Sequence, residues 1–218
     1  MPHRPDFEDG IPVAGTAVVL RDAPDGMQVL MLLRPDRGSF AGSWVFPGGR
    51  VDPGDVGVDE TERARSAAVR ETAEEAGIRI RDLVTVSCWE PPREVPKRIR
   101  TWFFLAAEDG EDVHVNPGEI ERAEWVAPAE ALRRHGAGDL VLWPPTWVTL
   151  HGLLPHRTSA EAFASLGEPE LRRTRIVESA EGRVFLWEGD EQHPERPGGA
   201  GARNRIATGR LPWTYQRG

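Results

Sequence analysis

The sequence predicts an α+β fold built on a mixed β-sheet, with a C-terminal extension. Between residues 13 and 126, short segments rich in valine and aromatic residues are typical of strands. Helical segments follow these strands without strict alternation of strand and helix, which argues against repeated βαβ units. With 218 residues, the chain is long enough to bury a sizeable core.

The first predicted strands form a β-hairpin that leads to a glycine loop. Residues 13–21 alternate and are rich in valine, residues 23–26 (Ala-Pro-Asp-Gly) signal a turn, and residues 28–33 form the returning strand. Residues 44–46 are a short strand that runs into the loop Pro-Gly-Gly at residues 47–49.

A long helix is predicted at residues 59–76. Asp59 and Glu62 have the spacing of a capping box, in which the side chains satisfy the first free amides of a helix. Gly77 follows the helix as a residue suited to the left-handed conformation that ends many helices.

Three strands and two helices are predicted next. The strands cover residues 83–89, 99–106 and 120–126, and the second is a near-continuous apolar run, as expected for a strand buried on both faces. The helices begin at prolines, which suit the first turn, and cover residues 128–134 and 144–154.

The composition changes after Pro155, so we divide the chain into a domain at residues 1–155 and an extension at residues 156–218. We expect the extension to pack on the same domain through its aromatic residues, and a homodimer contact is the alternative. Its predicted elements are a helix at 159–166, a strand at 183–187 and a proline- and glycine-rich loop at 194–201.

The bulk composition excludes several classes of protein. A formal net charge of −8 argues against a protein that coats nucleic acid. The single cysteine, Cys88, excludes an internal disulfide and a multi-cysteine zinc site, and fits a reducing compartment. No apolar run reaches 18 residues, and residues 1–10 are polar and acidic, so we expect neither a membrane span nor a signal peptide. The expected location is cytoplasmic, with no nucleic acid or membrane as a partner.

The most informative feature is a set of three carboxylates near the end of the long helix. Glu71, Glu74 and Glu75 project within an arc of about 100° on one helix face. Like charges at these spacings repel each other by a few tenths of a kcal/mol per pair. A hard divalent cation reverses that sign because it favours clustered carboxylate oxygens. The pattern therefore predicts a metal-binding helix.

This helix resembles the Nudix box, written G-x5-E-x7-R-E-U-x-E-E-x-G-U with U an aliphatic residue. Thr72 stands where an aliphatic residue is usual and is nearly isosteric with valine. The matching residues are Glu62, Arg70, Glu71, Glu74, Glu75, Gly77 and Ile78.

The first half of the box departs from this pattern. Val56 occupies the position six before Glu62, where the box has glycine, and the natural counterpart of that glycine is Gly49. Counting from Gly49, position +6 is Asp55, and Glu62 lies seven residues further on. An expanded box of this kind is similar to the branch that contains the peroxisomal coenzyme A diphosphatases. Whether Asp55 or Glu62 replaces the first box glutamate stays open at this point.

The resemblance implies a Nudix-type α/β/α sandwich and hydrolysis of a diphosphate linked to another moiety, with Mg²⁺ or Mn²⁺ as cofactor. It implies Glu71, Glu74, Glu75 and Glu62 as metal ligands. The capping-box spacing gives Glu62 a competing role as a helix cap, and one residue could serve in both roles. Glu71, Glu75 and Arg70 are the implied catalytic residues, with Arg70 orienting Glu71.

The resemblance also extends to the expected substrate, a small diphosphate. Residues 42–49 are similar to a stretch of coenzyme A-directed Nudix hydrolases, and Arg34 lies where those enzymes have an arginine. Gly48 and Gly49 would allow close approach of a phosphate. Coenzyme A or acyl-coenzyme A is the best single prediction. ADP-ribose or a nucleotide sugar, and a non-catalytic nucleotide-sensing module, are the alternatives.

Three further groups of residues have two interpretations each. The basic cluster of Arg93, Lys97, Arg98 and Arg100 either binds a peripheral substrate phosphate or is a solvated loop. Glu119, Glu121 and Glu124 are candidate general bases or solvated strand-edge charges. Phe40, Trp44 and Trp89 either stack on an adenine or pack in the core, which is expected of at least two of them.

Overall fold

The structure is a computed structural model that describes residues 10–38, 40–180 and 182–218. Residues 1–9 belong to the predicted domain 1–155 and make up most of the polar segment on which the expectation of no signal peptide rests. They lie outside the described residues.

The described residues form twelve strands and four helices. The strands are β1 (Val13–Ala23), β2 (Gly26–Leu33), β3 (Trp44–Val45), β4 (Gly48–Arg50), β5 (Ile80–Glu90), β6 (Arg100–Glu108), β7 (Arg122–Val126), β8 (Glu170–Arg173), β9 (Arg175–Ser179), β10 (Gly182–Leu186), β11 (Asn204–Ala207) and β12 (Thr214–Arg217). The helices are α1 (Glu60–Ala76), α2 (Pro128–Ala137), α3 (Pro144–Leu153) and α4 (Ser159–Ala164).

The main sheet is mixed, as the sequence predicts. Its order is β3-β2-β1-β6-β5-β8, with β4 also paired to β1 and β7 also paired to β2. The pairs β1–β6 and β5–β8 are parallel, and the other pairs are antiparallel. The strands β9 to β12 form a separate antiparallel sheet in the order β12-β11-β10-β9.

The two faces of the main sheet carry two different hydrophobic cores. Alternate residues of a strand point to opposite faces, and β1 follows this rule. Ala17 and Val19 pack with α1, whereas Val18 and Leu20 pack in the core that contains α2 and α3. Helices therefore cover both faces of the sheet, and the predicted α+β sandwich is confirmed.

Small residues bring α1 close to the sheet. Ala64 and Ala68 are fully buried, and they face Gly15 of β1. A Cβ atom at Gly15 would lie 1.7 Å from the backbone oxygen of Ala64, so a larger residue there would push the helix away. The ends of α1 lie where the sequence predicts, with Asp59 as N-cap and Gly77 in the left-handed conformation at φ 68°.

One prediction of local structure was wrong, and four strands have no counterpart in the prediction. Gly48 and Gly49 of the predicted loop 47–49 lie in the strand β4, because the backbone of residues 48–50 pairs with residues 14–16 of β1. The strands β8, β9, β11 and β12 were not predicted, because they are short and rich in charged residues. Tertiary pairing defines these strands more than their own composition does.

The extension contacts the main sheet directly. Strand β8 pairs with β5 at the sheet edge, and the buried Trp187 packs edge-to-face on Trp89, with their ring centroids 5.4 Å apart. No helix in the described part of the chain is long and apolar enough to cross a membrane.

Candidate active site

The predicted carboxylates lie at the C-terminal half of α1, beside β4 and the end of β2. Glu75 is the most buried of them, with 2% of its surface exposed. Its Oε1 accepts a hydrogen bond from Arg34 Nη1 at 2.7 Å, and its Oε2 accepts one from the Gly48 amide at 2.9 Å. The structure thus brings together Glu75, Arg34 and Gly48, which the sequence predicts as site residues on separate segments.

Arg70 links the remaining acids of the site. Its Nη1 donates to Glu71 Oε1 at 2.8 Å and to Glu74 Oε2 at 3.1 Å. Its Nε and Nη2 donate to the two oxygens of Asp55 at 3.1 and 3.0 Å, and Nη2 also donates to the Arg50 carbonyl. Such a fork fixes the guanidinium in one orientation. Arg70 thus makes the hydrogen bond to Glu71 that the resemblance implies, and its catalytic role stays a prediction.

Asp55 is a buried ion-pair partner of Arg70. Its side chain is 3% exposed, and its Oδ2 also accepts a hydrogen bond from the Asp52 amide at 2.7 Å. The hydrogen bond from Arg70 lowers the pKa of Asp55 and outweighs the cost of burial, so the carboxylate is charged at neutral pH.

Gly49 allows the strand β4 to lie against the carboxylates. A Cβ atom at this position would lie 2.2 Å from Cδ and Oε1 of Glu71, so any larger residue would displace that carboxylate. A Cβ at Gly48 would lie 2.5 Å from the Gly15 carbonyl oxygen. The two glycines thus permit close packing within the protein, in addition to the phosphate approach that the sequence predicts.

The acids of this site repel one another. Burial raises the pKa of Glu75 to about 7, with further contributions from Glu71 and Glu119, although Gly48 and Arg34 oppose the shift. Burial also raises the pKa of Glu71, opposed by Arg70 and reinforced by Glu74 and Glu119. A site of this kind favours an added positive charge.

Glu119 approaches the site on a turn that docks against α1. The amide of Asn116 donates to the Glu75 carbonyl at 3.1 Å, and the amide of Glu119 donates to the Asn116 carbonyl at 3.0 Å. Arg37 Nη2 also donates to the carbonyl of Gly118, in the same turn, at 3.3 Å. Of the three candidate acids after β6, Glu119 is therefore the one that influences Glu71 and Glu75.

The structure does not bring Glu62 to this site. Its Oε2 accepts a hydrogen bond from the Val58 amide, while its own amide donates to Asp59 Oδ1. From residue 62 to residue 71 the helix advances about 13 Å along its axis. Glu62 therefore caps α1, and its predicted role as a metal ligand has no support in this geometry.

Arg98 also lies apart from the carboxylates. Its Nη2 is 3.3 Å from Glu90 Oε1, beside the buried Arg100, whose guanidinium contacts both Glu90 and Glu60. Glu60 starts α1, so this cluster lies at the opposite end of the helix from Glu75. Arg93, in the same loop, is 3.4 Å from Glu195 of the extension. The three arginines of the predicted phosphate-binding cluster are thus each paired with a carboxylate.

Comparison with known proteins decides the family. The family model described as the NUDIX domain matches residues 12–144, which is more than half of the chain. The chain belongs to the Nudix family. The prediction of a Nudix-family enzyme is thereby confirmed, whereas the coenzyme A branch stays a prediction.

Relatives and solved structures agree with this assignment. The CTP pyrophosphohydrolase of Escherichia coli (strain K12) is 34% identical over 119 residues, which cover 54% of this chain and 76% of the relative. The crystal structure of a NUDIX hydrolase from Alicyclobacillus acidocaldarius superposes with a TM-score of 0.65 at 24% identity, covering 72% of this chain and 97% of that one. The NUDIX domain of Shewanella oneidensis NrtR, solved with ADP ribose, has a TM-score of 0.54 at 15% identity, covering 75% and 95%. These two structures support the Nudix fold alone.

The sequence alone does not single out two residues of the site. It leaves Asp55 and Glu62 as alternatives, and the structure shows that Asp55, six residues after Gly49, is the one that contacts Arg70. Glu119 was not separated from Glu121 and Glu124. Glu121 and Glu124 lie on or next to β7, where Glu124 accepts from Arg134, and only the fold distinguishes the three.

Proposed function

We propose that this Nudix protein is a Mg²⁺- or Mn²⁺-dependent hydrolase that cleaves the diphosphate linkage of a nucleotide-derived substrate. The observation that carries the proposal is the convergence of Glu71, Glu74 and Glu75 with Arg70 and Arg34 around one site beside the glycine strand. A chance acidic helix has no reason to meet an arginine and a backbone amide from two other segments, as Glu75 meets Arg34 and the Gly48 amide.

The donor set suits a hard divalent cation. Glu71, Glu74 and Glu75 supply carboxylate oxygens. Burial, with a smaller contribution from the charge of Glu71, raises the pKa of Glu75, so an added positive charge would favour its ionised form. Among the described residues, no three His, Cys, Asp or Glu side chains are already gathered as a metal site. Arg70 bonds only one oxygen of Glu71 and one oxygen of Glu74, so the other oxygen of each carboxylate could bind the cation while Arg70 holds its orientation. A bound divalent cation lowers the pKa of water and neutralises phosphate charge.

The other residues of the site have positioning roles in this proposal. Arg34 and the Gly48 amide fix the carboxylate of Glu75, while Asp55 fixes Arg70. Glu119 stands on its own turn and is the proposed additional carboxylate of the site, suited to accept a proton from the attacking water.

Coenzyme A or an acyl-coenzyme A is the specific substrate that we propose first. The stretch at residues 42–49 and Arg34 support it through their similarity to coenzyme A-directed enzymes. In this proposal Arg98 exchanges Glu90 for the 3′-phosphate of the substrate, which implies a rearrangement of the loop after β5. ADP-ribose and nucleotide sugars are the alternative diphosphates.

Phe40 is the aromatic residue that we propose to contact the substrate. Trp44 and Trp89 are each only 4% exposed and pack in the core, whereas Phe40 is 49% exposed. Its ring packs edge-to-face on Trp143, with ring centroids 5.4 Å apart. Phe40 has a positive φ of 60°, and residues held in such rare conformations cluster at functional sites.

A nucleoside triphosphate is a second candidate substrate. The relative with 34% identity is named as a CTP pyrophosphohydrolase, and a triphosphate contains the same phosphoanhydride bond. Arg98 has no role in this alternative, because a nucleoside triphosphate carries no 3′-phosphate.

The test is a side-by-side measurement of kcat/KM for coenzyme A, dephospho-coenzyme A, ADP-ribose and CTP, with Mg²⁺, with Mn²⁺ and with EDTA. We expect hydrolysis only with metal, and a preference for coenzyme A that the variant Arg98→Ala reduces to the level of dephospho-coenzyme A. A preference for CTP or ADP-ribose without an effect of Arg98→Ala would refute the coenzyme A proposal alone. Metal binding without hydrolysis of any substrate would indicate a nucleotide-sensing module.

A further inference from the structure

A cavity separate from the candidate active site lies between the Nudix sheet and the C-terminal extension. Its volume is about 490 Å³, within the usual range for small-molecule sites. Strands β5, β6, β8 and β12 and the helices α3 and α4 contribute its walls. Most of the wall is apolar, and it includes Trp89, Leu105, Val148, Leu153, Leu166 and Tyr215.

One buried cation in this cavity has an unused donor. Arg172 lines the cavity and is 5% exposed. Its guanidinium lies over the rings of Trp89 and Trp187, and its Nη2 donates to Glu170. Its Nη1 is buried and has no hydrogen-bond partner among the described residues. Because a buried donor without an acceptor is costly, this atom indicates a missing partner that can accept a hydrogen bond.

The charges of the cavity leave one positive charge unbalanced. Two guanidinium groups, Arg172 and Arg217, share the single carboxylate of Glu170. These three are the charged Asp, Glu, Lys or Arg side chains that line the cavity. Burial lowers the pKa of His151, the histidine stacked on Trp147, so it adds no charge at neutral pH.

This cavity is separate from the candidate active site. Trp89 and Leu105 belong to the core on the face that α2 and α3 cover, whereas α1 packs on the opposite face. Strand β8 is also at the far edge of the sheet from β2, which leads to Arg34. A ligand here would not touch the box carboxylates.

We propose that this cavity binds a small organic anion, with an apolar body between the aromatic and aliphatic walls and one carboxylate group on Arg172 Nη1. The proposal concerns a second site and goes beyond the proposed hydrolysis. It assigns a function to the extension, since β8, β12 and α4 supply walls that the matched family region 12–144 does not contain.

The test uses 4-phenylbutyrate as the probe and its uncharged amide as the comparison. Binding to the full-length protein is followed by ligand-observed NMR titration. We expect the carboxylate to bind in the millimolar range or tighter, and at least tenfold more tightly than the amide. We also expect Glu75→Gln to leave this binding unchanged and CTP with Mg²⁺ not to displace the probe, which separates the cavity from the active site.

The main variant places a larger side chain at an open, exposed position of the cavity wall. Gly152 lies in α3 at the cavity, and a Cβ there would meet nothing within 4 Å. Gly152→Leu also replaces glycine with a better helix former, so the variant should fold. Its matched control is Gly199→Leu, at another open glycine that does not line the cavity. We expect at least tenfold weaker binding for Gly152→Leu and no change for Gly199→Leu.

A second variant tests the anion. Arg172→Met keeps an unbranched apolar stem and removes the guanidinium and its charge, so it should bind the carboxylate no more tightly than the amide. Three results would overturn the proposal. They are no binding of 4-phenylbutyrate to the wild type at a probe concentration of about 10 mM, equal binding of the probe by the wild type and Gly152→Leu, or equal affinity of the wild type for the carboxylate and the amide. Because the readout is binding, these results are independent of whether the protein hydrolyses a diphosphate.

Discussion

At the residue scale, the site depends on how each carboxylate is held. Glu75 is held by a cation and an amide in a buried position, Glu71 is half-buried beside Gly49, and Glu74 is about half exposed. These different environments separate the properties of three chemically identical side chains. Arg70 contacts two of them and is itself fixed by Asp55.

The first prediction concerns Glu75→Gln. The change removes a charge with little change of shape, so we expect activity at saturating Mg²⁺ to fall by orders of magnitude. The free energy of unfolding should change by less than about 1 kcal/mol, because the lost pairing with Arg34 is offset by relief of burial and of repulsion from Glu71. Steady-state kinetics and urea unfolding measure the two effects. Full activity of the variant would contradict the assignment of Glu75.

The second prediction concerns Asp55→Asn. We expect kcat to fall about 10- to 100-fold with little change in KM, because Asp55 acts on the orientation of Arg70 and does not face the substrate. The matched control is Asp52→Asn, whose carboxylate is 3.8 Å from Arg70 and mostly exposed, and it should keep full activity. A change in KM alone for Asp55→Asn would indicate a substrate contact instead.

At the element scale, α1 joins two separate functions at its two ends. Its first turn is a capping box, and its last turns carry the acids of the site. The loop before it holds Asp55 in place and then makes an exposed excursion, in which Val56 and Val58 are 76% and 92% exposed. The extra residues of the expanded box therefore lie in an exposed loop between Asp55 and α1, and they add no buried segment.

The third prediction separates a cap from a metal ligand. Asp59→Ala should lower the free energy of unfolding by about 1 kcal/mol, because it leaves the Glu62 amide without its acceptor. Glu62→Ala should lower it by a similar or smaller amount, and neither variant should change kcat or the affinity for Mg²⁺. Thermal unfolding, kinetics and calorimetric Mg²⁺ titration measure these outcomes. Weaker Mg²⁺ binding by Glu62→Ala would restore Glu62 as a ligand.

At the scale of the whole molecule, the extension shares a core with the Nudix sheet. Trp187 of the extension and Trp89 of β5 lie in the same buried cluster, which also contains Ile206 of β11. Within the extension, Asp190 is fully buried, and Arg205 and the amides of Asn204 and Gln192 donate to its oxygens. These contacts predict that the extension and the sheet unfold together.

The fourth prediction tests this coupling with Trp187→Ala. Removing a fully buried tryptophan should lower the free energy of unfolding by about 3–5 kcal/mol, within a single cooperative transition. Trp143→Ala, at a half-exposed position, should cost well under half of that. Urea unfolding followed by both circular dichroism and fluorescence measures the effect. Two separate transitions would show that the extension folds independently.

The fifth prediction concerns acid stability and Asp190. Burial opposes ionisation of this carboxyl, but hydrogen bonds from Arg205, Asn204 and Gln192 outweigh it, so the pKa of Asp190 is lowered in the folded protein. The unfolded state therefore takes up the proton first, and the stabilisation is present above about pH 4 and lost as the pH falls below it. Asp190→Asn should be about 3 kcal/mol less stable at pH 7, because it leaves the guanidinium of Arg205 without its charge partner.

The difference in stability between the wild type and Asp190→Asn should narrow as the pH falls below about 4. Urea unfolding of both proteins across pH 3 to 7 measures it. A difference that stays constant over this range would contradict the role of the Asp190 charge.

The sequence by itself determined the features that depend on local spacing. The ends of α1, the clustering of Glu71, Glu74 and Glu75 on one face and the hairpin of β1 and β2 all follow from periodicity, capping and turn residues within a few positions of each other. The Nudix box is also a local pattern, and for that reason the family was evident before the fold.

The tertiary structure alone decided the features that join distant segments. Whether Asp55 or Glu62 meets Arg70, which acid after β6 approaches Glu75, and whether Arg98 belongs to the site all depend on distances between segments far apart in the chain. The strand β4 and the short strands of the extension exist because their backbones find partners, which composition does not encode. The cavity beside Arg172 likewise arises only where β5, α3 and the extension meet, because its walls come from parts of the chain that only the fold brings together.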